Sequence, residues 1–264
     1  MQIGRPGDPV TRIAQGYPDR VEVRGRDLTG ELMGNVSFTE YFHLLLTGFE
    51  PSEDQRFFLD VLLVAIAEHG LMPSNVAARI TLAANPGSLE GAVAAGILGA
   101  GPVVLGASEV CAQLLERAQA EVEAGGEPAV VARRLAQEIR DAGGRVPGFG
   151  HPLHRPVDPR AERIIELADQ RGLDGPHLAL ARAFGVAVPE IWGKPLPMNV
   201  AMPIAAVLLD LGFPASMVKS VPILARTASL LAHLAEEQER PIGFLLASTA
   251  EGAIPYEPSE EPGA

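Results

Sequence analysis

The segment from Gly148 to Arg160 (GFGHPLHRPVDPR) carries side chains whose types and spacing could do chemistry. It contains two histidines, two arginines and one aspartate between glycines and prolines. Imidazole gives up or takes a proton near neutral pH, and a guanidinium group binds a carboxylate through two parallel hydrogen bonds. The segment is therefore typical of a site that binds an organic acid and moves protons. A polar loop between two helices would have the same composition, so the rest of the chain must decide.

The end of this segment also predicts local structure. Asp158 followed by Pro159 is typical of a helix start, with the aspartate as N-cap and the proline at the first helical position. Arg160 then lies in the first turn, where the helix dipole favours acidic side chains. Its presence there indicates an anion nearby.

The beginning of the segment indicates a backbone open to a ligand. Gly148 and Gly150 flank Phe149, and we expect their N–H and C=O groups to face a ligand beside His151.

A metal site built from His151, His154 and Asp158 is a weaker interpretation. The chain has no HExxH motif and no cysteine cluster, and prolines separate these three residues. Prolines break the helical spacing that would bring such ligands onto one face. We therefore predict no metal.

The composition excludes several classes of protein. A net charge of −12 argues against nucleic acids and anionic membranes as general partners, since both bind clustered basic charge. Cys111 is the one cysteine, so the chain has no internal disulfide and suits a reducing compartment. We find no signal-peptide pattern at the N-terminus and no apolar run of about 18 residues. We expect a soluble, cytoplasmic protein.

The elements that must position the segment are predicted to be helices. Sustained alternation of apolar and polar residues is almost absent, whereas capping patterns such as Ser37 with Glu40 recur. We expect an all-α protein with a flexible arm over residues 1–20, a helical domain over 21–245 and an acidic, proline-rich tail over 246–264. Helices are predicted over residues 37–48, 52–70, 75–84, 88–98, 107–124, 128–141, 159–172, 176–186, 200–212 and 221–240, with a brief strand at 21–23 (VEV).

The segment GFGHPLHRPVDPR resembles the signature of the citrate synthase superfamily, in which Gly-aromatic-Gly-His precedes a basic residue and Asp-Pro-Arg. The short spacing after LLLTG makes the chain similar to the citryl-CoA lyase module, which occurs alone in some bacteria and at the C-terminal end of ATP-citrate lyase. The resemblance implies a multi-helix bundle with a large helical domain and a small helical lobe. Four further stretches resemble family segments in the same order: VEVRGRDLTGELMGNVSFTEYFHLLLTGFEPS, AEHGLMPSNVAARI, GILGAGPVVLGASE and ILARTASLLAHLAEE.

The resemblance implies roles for individual residues. His151 falls on the histidine that faces the substrate carbonyl or hydroxyl, and His69 falls on a histidine that hydrogen-bonds the same substrate. Arg160 and Arg226 fall on carboxylate-binding arginines. By contrast, His233 is predicted to be a packing or surface residue. The positions implied to bind coenzyme A are Val146, Gly148, Phe149 and Gly150 around the adenine and Arg155 near the phosphates.

Two family positions are changed in this chain. Val104 stands where synthases have a histidine that stabilises the enolate, a residue that the lyase modules also lack. Ala201 stands where the family has its catalytic aspartate, and a positioned acid or base is typically worth about 10²–10⁴ in rate. Glu190, predicted in a loop, could take that place, whereas Asp210 lies about nine residues further along the same helix, which is too far.

Three functions follow from the resemblance. The first, which we favour, is a carbon–carbon lyase that splits a 3-hydroxyacyl-CoA such as citryl-CoA into acetyl-CoA and a 2-oxo acid. The others are a hydrolase or retro-Claisen enzyme for a different acyl-CoA, and a non-catalytic protein that binds an acyl-CoA or a carboxylate. Coenzyme A would enter as the substrate thioester. We expect a homodimer or higher oligomer with the small-residue helices 88–98 and 107–124 at its interface, although close packing within one chain would also explain them.

Overall fold

The computed structural model describes residues 10–101, 105–151 and 153–257. Within these ranges helices dominate, and the predicted all-α class is confirmed. Three short strands, β1 (Ala14–Gly16), β2 (Val21–Val23) and β3 (Arg26–Asp27), precede a π-helical turn (Leu28–Leu32). The α-helices are α1 (Phe38–Thr47), α2 (Glu53–Ala67), α3 (Pro73–Ala84), α4 (Leu89–Leu98), α5 (Ala107–Glu123), α6 (Pro128–Asp141), α7 (Pro159–Gln170), α8 (Pro176–Trp192), α9 (Ala201–Asp210), α10 (Ala215–Val218), α11 (Ser220–Glu239) and α12 (Gly243–Ala253).

The first compact unit comprises the residues up to Val61. Its three strands form an antiparallel sheet in the order β1-β2-β3, and the predicted strand at 21–23 is confirmed as β2. Ser37 and Glu40 form the predicted capping box at the start of α1. A small core of Val23, Leu32 and Leu44 holds the unit together.

The second compact unit begins at Leu62 and holds the remaining helices. One of its cores lies where α3, α4 and α11 meet, around Ala78, Ala92 and Leu230. A Cβ on Gly96 of α4 would lie 2.6 Å from a methyl group of Leu230. Packing within one chain therefore accounts for small residues of α4, and the oligomeric state stays a prediction.

The other core of this unit surrounds α9. Every residue of α9 from Ala201 to Leu209 is buried, with α5, α7 and α8 packed around it. Cys111 of α5 is fully buried here, and burial raises the pKa of its thiol well above the usual range. The thiol is therefore a packing group, as expected from its helical context.

Several boundaries differ from the prediction. β1 lies inside the predicted arm, and α12 crosses the boundary placed at residue 245. The amides of Ile242 and Gly243 donate to Oε1 of Glu237 at 2.9 and 2.7 Å, so α12 begins on a cap supplied by another helix. Such a cap leaves no local sequence signal. Residues 1–9 and 258–264 lie outside the described ranges, and the domain division as a whole stays a prediction.

Helix α8 is longer than predicted and continues through Pro189 to Trp192. Packing of α8 against α6 and α9 outweighs the missing N–H group of Pro189. Glu190 therefore lies on a helix rather than in a loop. Across the described residues no helix combines the length and apolarity needed to cross a membrane.

Candidate active site

The second unit brings together four of the predicted site residues, His69, His151, Arg160 and Arg226. His69 follows the end of α2, His151 lies in the loop before α7, Arg160 is in the first turn of α7 and Arg226 is on α11. The rings of His69 and His151 have centroids 5.2 Å apart. The structure adds His154, whose ring stacks on His151 at 4.4 Å and 27°.

Backbone contacts determine which ring nitrogen of His151 carries the proton. Its Nδ1 accepts the backbone N–H groups of Leu153 and His154 at 3.1 and 3.0 Å. An imidazole nitrogen that accepts hydrogen bonds carries a lone pair, so the neutral ring holds its proton on Nε2. His151 therefore offers a fixed Nε2–H donor, as a group that hydrogen-bonds a substrate oxygen requires.

The surroundings keep two of the imidazoles neutral. Burial lowers the pKa of His69, and the nearby Arg160, His154 and Arg226 lower it further, while Asp158 opposes them. The pKa of His151 is also lowered, again chiefly by burial. These two rings are therefore protonated at a lower pH than a free histidine side chain.

The histidine cluster (His69, His151 and His154) is also the place where a metal could bind. One ring nitrogen from each residue lies within 4.8 Å of the others, which is close enough for a shared divalent ion. Nε2 of His151 carries the proton, however, and using Nδ1 would break its two amide hydrogen bonds. Arg160 and Arg226 add positive charge. The cluster as folded is better suited to hydrogen bonding and proton transfer, and the absence of a metal stays a prediction.

Arg226 is a buried cation whose guanidinium is only partly engaged. The residue is 2% exposed, and Nη2 donates to the carbonyl of Ile66 at 3.3 Å. Its Nε and Nη1 have no hydrogen-bond partner among the described residues. Burial lowers the pKa of Arg226, and the half-exposed Glu68 counteracts this. A guanidinium buried in this way is expected to hold an anion.

Arg160 differs from the expectation. Asp158 is the N-cap of α7 as predicted, and its carboxylate accepts from Nε and Nη2 of Arg160 at 3.0 and 2.9 Å. Burial opposes ionisation of Asp158, but these contacts outweigh it and lower its pKa. The anion inferred beside Arg160 is thus the chain's own aspartate. No hydrogen-bond partner engages Nη1 of Arg160 within the described ranges, so this group is left for a ligand.

A network around Glu68 fixes the turn that carries His69. Oε1 of Glu68 accepts the amides of His69 and Gly70 at 2.8 and 2.6 Å, and Oε2 accepts from Ser229 and from His233 Nε2. Burial, the largest single effect, opposes ionisation, yet the hydrogen bonds from Ser229 and His233 and the two amides bring the pKa of Glu68 to about 2. The turn is held by a carboxylate that stays charged.

The expectation that His233 is a packing or surface residue was wrong. His233 also accepts from Nε of the buried Arg79 at 3.1 Å, so it links that arginine to Glu68. One sequence signal could have found it. Arg226, Ser229, His233 and Glu237 follow each other at spacings of 3, 4 and 4, which places a polar stripe on one face of α11.

The glycines of the opening segment are engaged by the chain itself. The amide of Gly150 donates to the carbonyl of Pro197 at 2.7 Å, and the carbonyl of Gly148 accepts the amide of Asn199 at 2.8 Å. For the Gly150 amide and the Gly148 carbonyl, the expectation that they face a ligand was therefore wrong. Gly148 has φ +79°, and a Cβ there would lie 2.7 Å from Cβ of Met202.

The other positions implied to bind coenzyme A differ in exposure. Val146 is buried, Phe149 is half-buried and Arg155 is exposed. Their role, like that of Gly148 and Gly150, stays a prediction.

Ala201 is the first residue of α9 and is 7% exposed. The preceding amide, of Val200, donates to Oδ2 of Asp158 at 3.1 Å, so Ala201 adjoins the cap that holds Arg160. Glu190 does not replace the missing acid, because it pairs with Arg133 and is half-exposed. Val104 lies outside the described residues.

Asp210 has a structural role instead. Its buried carboxylate accepts the amides of His177 and Leu178, both at 2.9 Å, and the Nδ1 of His177 at 2.7 Å. It caps the start of α8 from the end of α9. Neither alternative carboxylate thus serves the site.

The chain matches a family model and known proteins. The model "Citrate synthase, C-terminal domain" matches residues 15–243. Putative citrate synthase 2 of Mycobacterium tuberculosis is 33% identical over 197 residues, which cover 72% of this chain and 49% of that protein. Citrate synthase of Heyndrickxia coagulans is 29% identical over 210 residues, covering 78% and 53%. The chain spans about half the length of these relatives.

Solved structures share the fold. The citryl-CoA lyase from Hydrogenobacter thermophilus superposes with a TM-score of 0.84 at 28% identity, over 98% of both chains. An aspartate-to-alanine mutant of Methanosaeta concilii ATP citrate lyase, in complex with (3S)-citryl-CoA, superposes with a TM-score of 0.77 at 22% identity. That match covers 98% of this chain and 43% of the other. The extent of the family match, together with these superpositions, shows that the chain belongs to the citrate synthase family.

Proposed function

We propose that the protein is a carbon–carbon lyase that cleaves a CoA thioester of a 3-hydroxy polycarboxylic acid, with citryl-CoA as the first substrate to test. The products would be acetyl-CoA and a 2-oxo acid. The buried guanidinium of Arg226, with Nε and Nη1 unpaired among the described residues, is the observation that carries the proposal. It needs an anion, and Arg160 and three imidazoles lie around the same place.

The cluster can bind and orient such a substrate. One carboxylate would accept from Nη1 of Arg226, and a second one from Nη1 of Arg160. Nε–H of Arg226 points from the other edge of the guanidinium and would donate to a different oxygen. Nε2–H of His151 would donate to the hydroxyl oxygen, which becomes the carbonyl oxygen of the 2-oxo acid. His69 would keep a neutral ring beside the same group, since burial and the two arginines lower its pKa.

The reaction balances without an added reactant. The hydroxyl loses a proton, the carbon–carbon bond breaks, and its electron pair passes into the thioester as an enolate. The enolate carbon then takes a proton to give the methyl group of acetyl-CoA. The mechanism therefore needs a group that removes a proton from the hydroxyl and a group that supplies one to the enolate carbon.

Coenzyme A recognition is part of the proposal. Arg155 is exposed on the loop that carries His154, where a phosphate could reach it. The ring of the half-buried Phe149 would contact the adenine. Citryl-CoA in complex with the lyase mutant of Methanosaeta concilii supports this ligand class for the fold.

The test is a mass-spectrometric turnover assay with citryl-CoA and a panel of other 3-hydroxyacyl-CoA and 3-oxoacyl-CoA esters. We expect equal amounts of acetyl-CoA and oxaloacetate from citryl-CoA, and none from His151→Ala. Arg226→Met should weaken substrate binding by about 30-fold or more, the lower end for truncating one partner of a buried charge pair. Arg182→Met, which removes an exposed partner of Asp169, is the matched control. Free CoA in place of acetyl-CoA would instead identify a hydrolase.

Ala201 favours one second candidate, a protein that binds a CoA ester without cleaving it. The methyl group exchanges no proton, and the residue lies where the family has an aspartate. Calorimetric binding of citryl-CoA with no product after prolonged incubation would support this candidate and contradict the lyase. Loss of that binding in Arg226→Met would still place the ligand at the same site.

A further inference from the structure

His154 is the one histidine of the cluster that the family resemblance does not assign. It lies three residues after His151, and its ring contacts both other rings, at 4.4 Å to His151 and 5.1 Å to His69. Its Nε2 lies 2.9 Å from Nε2 of His69. Two bare nitrogens at this distance would repel each other, so one of them carries a proton and donates it to the other.

The partner of His69 identifies the donor. Nδ1 of His69 faces the thioether sulfur of Met72 at 3.4 Å, and this sulfur accepts hydrogen bonds but has none to give. The proton of the neutral His69 ring therefore belongs on Nδ1, which leaves Nε2 as an acceptor. His154 donates its Nε2–H to His69, and its Nδ1 carries a lone pair.

That lone pair is available for chemistry. Among the described residues no hydrogen-bond partner engages Nδ1 of His154, and the side chain is half-buried. Because the rings of His154 and His151 stack, a hydroxyl that accepts from Nε2 of His151 lies close to His154. The cluster thus combines one fixed donor with one free acceptor.

We propose that His154 is the acid–base residue of this site and replaces the carboxylate that Ala201 lacks. This rests on the proposed lyase function. Nδ1 of His154 takes the hydroxyl proton, the carbon–carbon bond breaks to the enolate, and Nδ1 returns the proton to the enolate carbon. Throughout, Nε2–H stays donated to His69, which positions the ring. One proton leaves oxygen and one reaches carbon, so the step balances.

Other groups near the cluster are less suited to this role. Asp158 is bound by Arg160 and by the amide of Val200, and Glu68 is bound by two amides and three side chains. Arg160 and Arg226 remain cationic and cannot act as bases. His151 already uses its lone pair on two amides.

The first test reads the protons directly and needs no turnover. Long-range ¹H–¹⁵N spectra of histidine-labelled protein at neutral pH would distinguish the tautomers, with His→Gln variants for assignment. We expect the Nε2–H form for His151 and His154 and the Nδ1–H form for His69. A proton on Nδ1 of His154 would overturn the proposal. So would one equivalent of a divalent metal retained by the wild type and absent from His154→Gln, since Nε2 would then be a ligand.

The second test is kinetic. His154→Gln should lower kcat for citryl-CoA by about 10²–10⁴ with little change in KM, the usual range for losing a positioned acid or base. His154→Ala should recover part of the rate with added imidazole, whereas a purely structural role gives no such rescue. Val157→Ala, an exposed change in the same loop, is the control and should keep the wild-type rate.

The outcomes separate the two proposals. A wild-type rate in His154→Gln, with His151→Ala inactive, would overturn the role of His154 and leave the lyase standing. A wild type that binds citryl-CoA without cleaving it would overturn both, even if the tautomers are as expected. Loss of rate in His154→Gln without imidazole rescue in His154→Ala would also count against the proposal.

Discussion

Replacing Arg226 by methionine should stabilise the ligand-free protein, whereas the same change at Arg79 should destabilise it. Both arginines are almost fully buried, at 2% and 1% exposure. Arg79 is fully engaged, since it donates to Glu237 at 2.9 Å, to His233 at 3.1 Å and to Glu236. Arg226 makes one backbone contact of 3.3 Å and leaves two nitrogens unpaired among the described residues. The pair therefore separates the effect of burial from the effect of partners.

The magnitude follows from these contacts. An unsatisfied buried polar atom costs about 1–3 kcal/mol, and the one hydrogen bond of Arg226 contributes about 1 kcal/mol. Methionine fills a similar space without polar atoms, so Arg226→Met, which removes two unsatisfied atoms and one hydrogen bond, should gain about 1–5 kcal/mol. At about 2–4 °C per kcal/mol, Tm would rise by about 2–20 °C. Arg79→Met strands the carboxylate of Glu237, which is 2% exposed, and should lose about 3–5 kcal/mol.

The assay is thermal and urea-induced unfolding of the wild type and both variants, each with and without citrate. Citrate should raise the Tm of the wild type and of a folded Arg79→Met variant. It should not raise the Tm of Arg226→Met, because a carboxylate of citrate then lacks the guanidinium that binds it. Circular dichroism would show that each variant is folded at the start.

A lower Tm for Arg226→Met without ligand, together with an unchanged response to citrate, would refute the reasoning. Arg226 would then act as a packing residue, and the anion site would lie elsewhere. A stabilised variant that still responds fully to citrate would refute the ligand role alone.

Three further outcomes are expected. Glu68→Gln should reduce the pH dependence of stability in acid. The pKa of Glu68 in the folded protein is about 2, below the usual 4.5, so its carboxylate stabilises the fold above about pH 4.5 and loses that effect as the pH falls toward 2. Acid titration followed by fluorescence would check this. Cys111 should resist a thiol reagent in the native protein and react once urea unfolds it, because burial keeps the thiol protonated and inaccessible. Asp210→Ala should cost about 1–3 kcal/mol in urea unfolding, since a buried cap of α8 is lost, whereas the exposed Asp169→Ala should change stability by less than about 0.5 kcal/mol.

Local sequence signals predicted most of the fold. The capping box at Ser37 and the Asp158–Pro159 helix start both appear where the sequence placed them. The failures share a cause. The start of α12 is capped by Glu237, and α8 continues past Pro189 while packed against α6 and α9, so contacts from other helices decide both boundaries. Pattern reading within a short window has no access to such contacts.

The candidate site shows the same division. The motif resemblance selected His69, His151, Arg160 and Arg226, and the structure brings all four together in the second unit. The resemblance gave no reason to single out His154. This residue gains its role only because the fold brings His69, which follows α2, into contact with it. The partner of Arg160, by contrast, lies only two residues away in the sequence. Asp158 was assigned the role of N-cap alone, but its carboxylate also binds the guanidinium of Arg160.

The carboxylate of Glu237 divides its two oxygens between Arg79 and the first amides of α12. Local opening of α12 would leave one oxygen without its donors while the other still holds a buried cation. Hydrogen exchange in the first turn of α12 should therefore report on the α3–α11 core and not on simple fraying from the C-terminal side. Glu237→Gln should make those amides exchange as a separate, faster unit, and a protease should then cut near residue 243 before the rest of the chain is attacked.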